Sequence, residues 1–583
     1  MQLELHGVNV ALTEFAEFAE SAYWPQFVNG NMLKVTKPIT IATRTLGAIL
    51  NTSQGRHICI DLSLVKLERG QLKIFAKLSR CETHSAAMRR LLFSLIVFAP
   101  MTFADTGVFR FHLFSEPQTL DPQTTASSGG NYLFQNIFRG LFVYSNGTLK
   151  AEGAEKCQRI KLGLRCTLRK MKWSNGQPVT AKQYVSSFRR LIDPEMKSPK
   201  ADILFTLKNA RAIWKGDQKP DQLGVEADGD QTLVFHFQED DPEFEYRLIE
   251  PALTPLPDGG YLNREEGSKL PVNGPYKITE WKKGAWVKLA PNTEYTLGNK
   301  DRPSAEALFI ENDPTALRLY EAGTLTFLRR LTAADIPRFK DSPEFLQIPM
   351  ARFDYVGFGP ALRDQPKLRE ALIKSVEFKD FLRLFNTISP PGCPSLPASY
   401  MDKVSCLGFD PSRAKSLVKE LKDIPPLEMQ FSQMGGDDIA RAAEWLQGQW
   451  KKNAGIKVEL HSQEQSVYMR TLRAKTPAIF RKGVNLDRPT CTAALEIFVK
   501  GHPENFIGLD DPDFEKRLKR MTQVTAPVAR KKACRETVNQ LLSLNRLIPL
   551  GEMYFTLLVK KSFTGWTLNE LNQLDLSQLH KSE

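Results

Sequence analysis

The chain has 583 residues, more than one hydrophobic core usually serves, which implies two or three domains. Hydrophobic residues make up 42% and charged residues 25%, a balance that excludes wholesale disorder. The formal charge is +13, but Lys and Arg stand singly or in pairs, without the basic runs and interleaved aromatics that nucleic acid selects, so no nucleic-acid partner is expected.

From Met1 to Ala87 there is no sustained helical or strand period, only isolated runs such as His57 to Val65. A sharper signal starts at Met88. Met88, Arg89 and Arg90 form a cationic start, Leu91 to Pro100 is apolar, and Thr102-Phe103-Ala104 puts small residues at the two positions a signal peptidase inspects. Residues 88–104 are therefore expected to be a secretory signal peptide cut after Ala104, giving a periplasmic protein. The apolar run is too short to cross a bilayer, and no later stretch reaches the roughly 20 uncharged residues a membrane helix needs, so no stable membrane insertion is expected. No Cys stands at the cleavage point, which argues against a lipid anchor. A signal peptide works at a chain terminus, so residues 1–87 are expected to arise from a start site placed upstream of Met88. A small N-terminal domain is the alternative.

Further along, Val108 to Leu113, Thr232 to Phe237, Trp286 to Leu289 and Lys457 to His461 alternate apolar and polar residues as strands do. Trp173-Ser174-Asn175-Gly176 is a turn in which Asn-Gly supplies positive φ, and Thr180 then caps a helix whose apolar side carries Tyr184, Val185 and Phe188. Asn273-Gly274-Pro275-Tyr276 is a turn feeding a strand. Asp410-Pro411 opens a helix through Leu421, with Ala414, Leu417, Val418 and Leu421 on one face. A second helix, about Asp438 to Asn453, repeats Ala442, Trp445, Leu446, Gln449 and Trp450 at helical spacing and stops at Ala454-Gly455. Strands alternating with amphipathic helices, without repeats or low-complexity linkers, predict a mixed α/β and α+β architecture.

Six cysteines follow residue 104, and an even number in an exported chain suggests disulfides. Cys157 and Cys166 flank Gln158 to Arg165, a hairpin through Leu162-Gly163. Cys393 and Cys406 close a Pro-rich loop, which leaves Cys491 and Cys534 to each other.

Catalytic signatures are lacking. The five His after residue 104, at 112, 236, 461, 502 and 580, include no metal-binding pair, and there is no nucleophile elbow, phosphate loop or dinucleotide fingerprint. No enzyme activity, metal or cofactor is expected. Asp240-Asp241 and Asp510-Asp511, each close to a Pro, read as solvated turns.

From Ser115-Glu116-Pro117-Gln118-Thr119-Leu120-Asp121-Pro122 onward the chain resembles the peptide-binding class of extracellular solute-binding proteins, in particular the oligopeptide-binding proteins of ABC importers. The resemblance continues in order through Asn136 to Leu141, Trp173 to Asp193, Leu223 to Val234, Thr254-Pro255-Leu256-Pro257, Val272 to Trp281, Leu368 to Val376, Phe409 to Leu421, Gln449 to Gln463 and Ile548-Pro549-Leu550. It implies a two-lobed fold with a hinged cleft and an additional domain. Lobe I would take residues 105–150, 257–350 and 560–583, domain II 151–256, and lobe III 351–559. It also implies a monomer that captures an extended peptide between the lobes, pairs it through backbone hydrogen bonds that do not depend on sequence, and delivers it to transporter permease subunits.

The stretch Phe480 to Asp487 is similar to one wall of the family's cleft. The resemblance gives Asp487 the role of receiving the ligand's α-amino group, with Arg481, Gly483, Val484 and Asn485 along the same wall. On the opposite wall it implicates Ala126 and Ser128, and a further contact at Met553. Departures from the family pattern are Val484 where Trp is usual, Arg488 where Tyr is usual, Ala126 for a common acidic residue, and Met553 near a frequent Tyr. These keep alternatives open: a nickel chelate, a haem-like molecule or a sugar as ligand, or an exported sensor or peptide chaperone.

Overall fold

The computed structural model describes residues 107–582 except 126–129, 379–380, 382–392, 394–395, 398, 402–403, 434–436 and 525, together with three earlier strands. Residues 88–104, read as a signal peptide, and the site candidates Ala126 and Ser128 lie outside the described residues. The chain divides into two compact units, Met1–Met101 and Thr102–Glu583. In the first, β1 (Thr45–Asn51), β2 (His57–Lys66) and β3 (Leu72–Arg80) form an antiparallel sheet in that order. The run at His57 is thus one of three paired strands, not an isolated segment. Ile58, Ile60, Leu62 and Leu64 alternate with Cys59, Asp61 and Ser63 along β2, the two-residue period of a strand.

The second unit opens with β4 (Phe109–Leu113), followed by a hairpin of β5 (Phe142–Ser145) and β6 (Thr148–Ala151). β7 (Ala154–Ile160), β8 (Gly163–Leu168), β9 (Val225–Ala227) and β10 (Thr232–His236) make a four-stranded antiparallel sheet ordered β7-β8-β10-β9. Across it lies the helix Ala181–Ile192, started by the expected Thr180: Thr180 and Gln183 form a capping box that satisfies two amides the first turn would otherwise leave unpaired. Phe188 and Phe235 of this region belong to the same continuous core as Phe109 and Phe327. Residues assigned to domain II therefore share lobe I's core instead of having their own.

Next come β11 (Tyr276–Lys282), β12 (Trp286–Pro291), β13 (Ala305–Phe309), β14 (Phe327–Leu328) and β15 (Phe345–Pro349). The chain then crosses into a second sheet with β16 (Arg352–Phe358), β17 (Leu427–Ser432), β18 (Val458–Gln463), β19 (Ile479–Asn485) and β20 (Leu547–Pro549), and returns as β21 (Tyr554–Val559). The first large sheet is ordered β11-β12-β13-β4-β14-β21-β15 and the second β18-β17-β19-β16-β20. β21, expected at the end of lobe III, instead runs between β14 and β15 of lobe I, because Phe555, Leu557 and Leu558 pair there with β15 and β14. β16 serves two cores: Phe353 and Tyr355 pack on one side of the lobe III sheet, Val356 and Phe358 on the other, as a two-residue period dictates.

The two crossings, at Met350–Ala351 and Leu550–Met553, run side by side, and the Met350 amide donates to the Met553 carbonyl at 2.8 Å. Two adjacent strands joining two sheets are the material of a hinge.

The three expected disulfides are present. Cys157–Cys166 joins directly opposed residues of β7 and β8, and Cys491–Cys534 links the helices Cys491–Leu495 and Pro527–Ser543. The turn in the first hairpin uses Leu162 at φ 47°, while Gly163 opens β8 because a Cβ there would strike the Phe235 carbonyl. The loops closed span 9 and 43 residues. Chain entropy then gives about 2.6 kcal/mol for the first and about 4 kcal/mol for the second. Replacing Cys491 and Cys534 together by Ala should therefore lower unfolding free energy by more than the same change at Cys157 and Cys166. Urea melts of the two double variants check the order, and the reverse order would reject the entropic account.

Candidate ligand-binding cleft

The wall read from the sequence is β19. Its register on β16 sets Arg352 opposite Asn485, Asp354 opposite Gly483 and Val356 opposite Arg481. Arg481 is buried and gives Nη2 to Asp354 Oδ1 at 2.5 Å. Arg352 also contacts Asp354, and its Nη1 donates to Asn485 Oδ1 at 2.8 Å. Burial would push the Asp354 carboxyl up, but Arg352 and Arg481 outweigh it and hold it below the usual range. At Gly483 a Cβ would fall on the Arg352 guanidinium, so a larger residue would displace the Arg352 side chain from Asp354. Val484 packs half-buried on the lobe III core, whereas Asn485 is exposed. Arg481 and Gly483 thus brace the wall from within, and Asn485 and Asp487 present polar groups to its open side.

Asp487 is not a lone acid. Its side chain is 35% exposed, and the neighbouring Arg488 Nη1 donates to both its oxygens, at 2.9 and 3.1 Å. Arg488 itself is fully buried. Its Nε donates to Glu243 Oε2 at 2.8 Å, and Nη1 and Nη2 donate to the two Glu496 oxygens at 2.9 and 2.7 Å. Thr490 Oγ1 adds a hydrogen bond to Glu243 at 2.8 Å. Glu243 lies on the lobe I and domain II side, so these bonds cross the cleft. From that side Arg247 stands 3.6 Å from Asp487 and donates Nε to Asp241 at 2.9 Å. Asp241 is therefore a buried turn residue held by Arg247 and not the solvated one expected, while Asp511 does cap a helix, accepting from the Phe514 amide.

Burial would raise the Glu496 carboxyl, but the Arg488 guanidinium overrides it and holds Glu496 at about 2. Asp202, close enough to feel Asp487, is raised by burial and by that charge. Around Asp487, then, the carboxylates Asp202, Asp241, Glu243 and Glu496 outnumber the cationic groups described near them, Arg247, Arg488 and, beside Glu496, His502. This acidic surplus can take up a cationic group. Sequence reading missed Glu243, Arg247, Asp202 and Glu496, which carry no local motif.

Met553, expected to touch ligand, supplies the hinge hydrogen bond and packs its half-buried side chain on a lobe III core. Beside the hinge, Tyr144 and Tyr400 both donate to Glu570 Oε1, at 2.9 and 3.2 Å, joining the two lobes. On the lobe I wall, His112 is fully buried. Burial, and then the charge of Arg329, hold it down at about 3. An unfolded His binds its proton near 6.5, so below that pH the unfolded state takes up a proton the folded state refuses. Stability should fall as pH drops from 6.5 toward 3, by up to about 1.4 kcal/mol per unit. His112→Gln should flatten that slope relative to wild type in urea melts across this range. Parallel pH curves would show that His112 titrates normally.

Residues 161–505 match the bacterial extracellular solute-binding proteins, family 5, and the chain belongs to that family. It is 26% identical over 511 residues to a probable deoxycholate-binding periplasmic protein of Escherichia coli, covering 81% of this chain and 95% of that one. It is 26% identical over 441 residues to an oligopeptide-binding protein of Bacillus subtilis, covering 69% and 80%. Among solved structures, the oligopeptide-binding protein of Haemophilus influenzae in complex with the peptide RPPGFSPFR superposes with a TM-score of 0.69 at 23% identity, over 82% of this chain and 99% of that one. The unliganded open form of a periplasmic murein tripeptide-binding protein gives 0.67 at 22% identity, over 81% and 97%. The fold is the two-lobed solute-binding fold.

Proposed function

We propose that the protein is a periplasmic binder, not an enzyme, that captures peptides in the cleft and delivers them as a monomer to the permease subunits of an ABC transporter. The observation that carries this reading is the acidic surplus around Asp487, at the end of a wall braced by Arg481 and Gly483 and opposite a hinged second lobe. A peptide's α-ammonium would be its cationic partner, held by Asp487 beside the exposed Asn485. Relatives described as oligopeptide-binding proteins support the same ligand class. A second reading, capture of an amphipathic acid, is favoured by the Escherichia coli relative described as probably deoxycholate-binding. Mass spectrometry of what copurifies with the protein exported from its host separates them: peptides support the first reading, and a steroid acid alone would replace it with the second.

A further inference from the structure

Arg329 stands one residue past the end of β14. β4 runs parallel to both β13 and β14, and β15 points the same way, since it and β14 both pair antiparallel with β21. The C-terminal ends of these four strands therefore share one end of the lobe I sheet. Pro349 leaves for lobe III from that end, and Tyr554 returns to it. Arg329 thus belongs to the wall that faces lobe III, where open α/β sheets hold their ligands. Nearby Asp313 feels the charge of Asp438 from lobe III, as a residue on this wall should.

The Arg329 guanidinium lies over two rings, 4.4 Å from the centre of Phe114 and 4.6 Å from that of Tyr132. The residue is only 8% exposed, and Nη1 is buried without a hydrogen-bond partner. Among the described residues no hydrogen bond or ion pair reaches this guanidinium. Asp313, the carboxylate whose charge it feels, lies 3.4 Å from Arg330 instead. A buried cation without a counter-ion is costly, and natural proteins rarely carry one. Aromatic stacking occupies the faces of the guanidinium and leaves its N–H edge, the fork that fits a carboxylate in two parallel bonds.

We infer that Arg329 receives a carboxylate of the bound ligand on the lobe I wall, so that this protein selects acidic ligands. The inference rests on the reading of the cleft as the ligand site and adds the chemical group recognised there. Two sources of carboxylate are possible on a peptide, its C-terminus and an acidic side chain. Calorimetry with three peptides of one parent sequence separates them: one with a free C-terminus, one amidated but carrying Glu, and one amidated without acidic residues. Wild type should bind at least one acidic form about 100-fold more tightly than the neutral form, and Arg329→Met should bind all three alike.

A second measurement does not depend on peptides. Arg329→Met removes a buried charge that has no ion pair among the described residues, so the ligand-free variant should melt at a higher temperature than wild type, and sodium benzoate should raise the melting temperature of wild type alone. A variant that melts lower, or that binds acidic peptides as wild type does, would make Arg329 a structural residue and overturn the inference. Wild type that ignores every peptide yet is stabilised by benzoate only when Arg329 is present would overturn the peptide reading and support this one.

Discussion

Asp487→Ala should weaken binding of a peptide with a free N-terminus by about 2 to 5 kcal/mol, or about 30-fold to 4,000-fold in Kd. The range reflects what is lost when one member of a charge pair in a partly desolvated site is truncated. Asp487 has 35% of its side chain exposed and receives Arg488 through both oxygens, so a ligand ammonium would join an existing charge cluster. That cluster favours the ammonium because its carboxylates outnumber its guanidinium groups. Acetylating the peptide amine should produce the same loss on wild type and add little on the variant. Without ligand, the variant should melt close to wild type, since Arg488 keeps Glu243 and Glu496. If calorimetry finds equal affinities for free and acetylated peptides on wild type, Asp487 serves only to hold Arg488, and the amine-anchor role is wrong.

Local chemistry was readable from the sequence wherever the signal lies within a few residues. Asp410 caps the helix Pro411–Lys419 by accepting from the Arg413 amide at 2.8 Å, the second helix runs Asp437–Ala454, and Gly455 stops it at φ 72°. The hairpin disulfide follows from nine residues of spacing. What could not be read depends on distant partners. Glu243 and Arg488 are 245 positions apart; Arg488 stands out only as a departure from the family pattern, and nothing beside Glu243 marks it as the partner. β21 is apolar enough to fit either lobe, and only its pairing with β15 decides. Arg481 looked like a polar residue on a cleft strand, but its register opposite Val356 turns it toward Asp354 inside the lobe. The sequence thus marked this stretch as one element but not which of its side chains turn into the lobe.

Arg488→Ala should be the most damaging single change in the cleft, at about 3 to 5 kcal/mol of stability, because it strands the buried Glu243 carboxylate and unpairs the partly exposed Glu496 instead of deleting a pair. Glu243 is 4% exposed at its side chain and would keep only Thr490 among the Arg488-side partners named above. Glu496 would lose both bonds that hold its carboxyl down. The pH dependence identifies the cause. Glu496 sits at about 2 in the folded protein against an ordinary 4.5, so in wild type its stabilisation is complete above 4.5 and is lost as pH falls through 4.5 toward 2. The variant keeps only the smaller pull of Arg247 and His502 on Glu496, so the gap between the two proteins should be widest near neutrality and narrow below 4.5. Because the broken bonds cross from Glu243 to lobe III, small-angle scattering of the ligand-free variant should also report a larger radius of gyration. Glu243→Gln placed on Arg488→Ala should recover part of the loss, since it removes one of the stranded charges. Denaturation midpoints for Arg488→Ala equal to wild type at pH 7 would mean that water already pairs with these carboxylates and that Arg488 does not tie the lobes together.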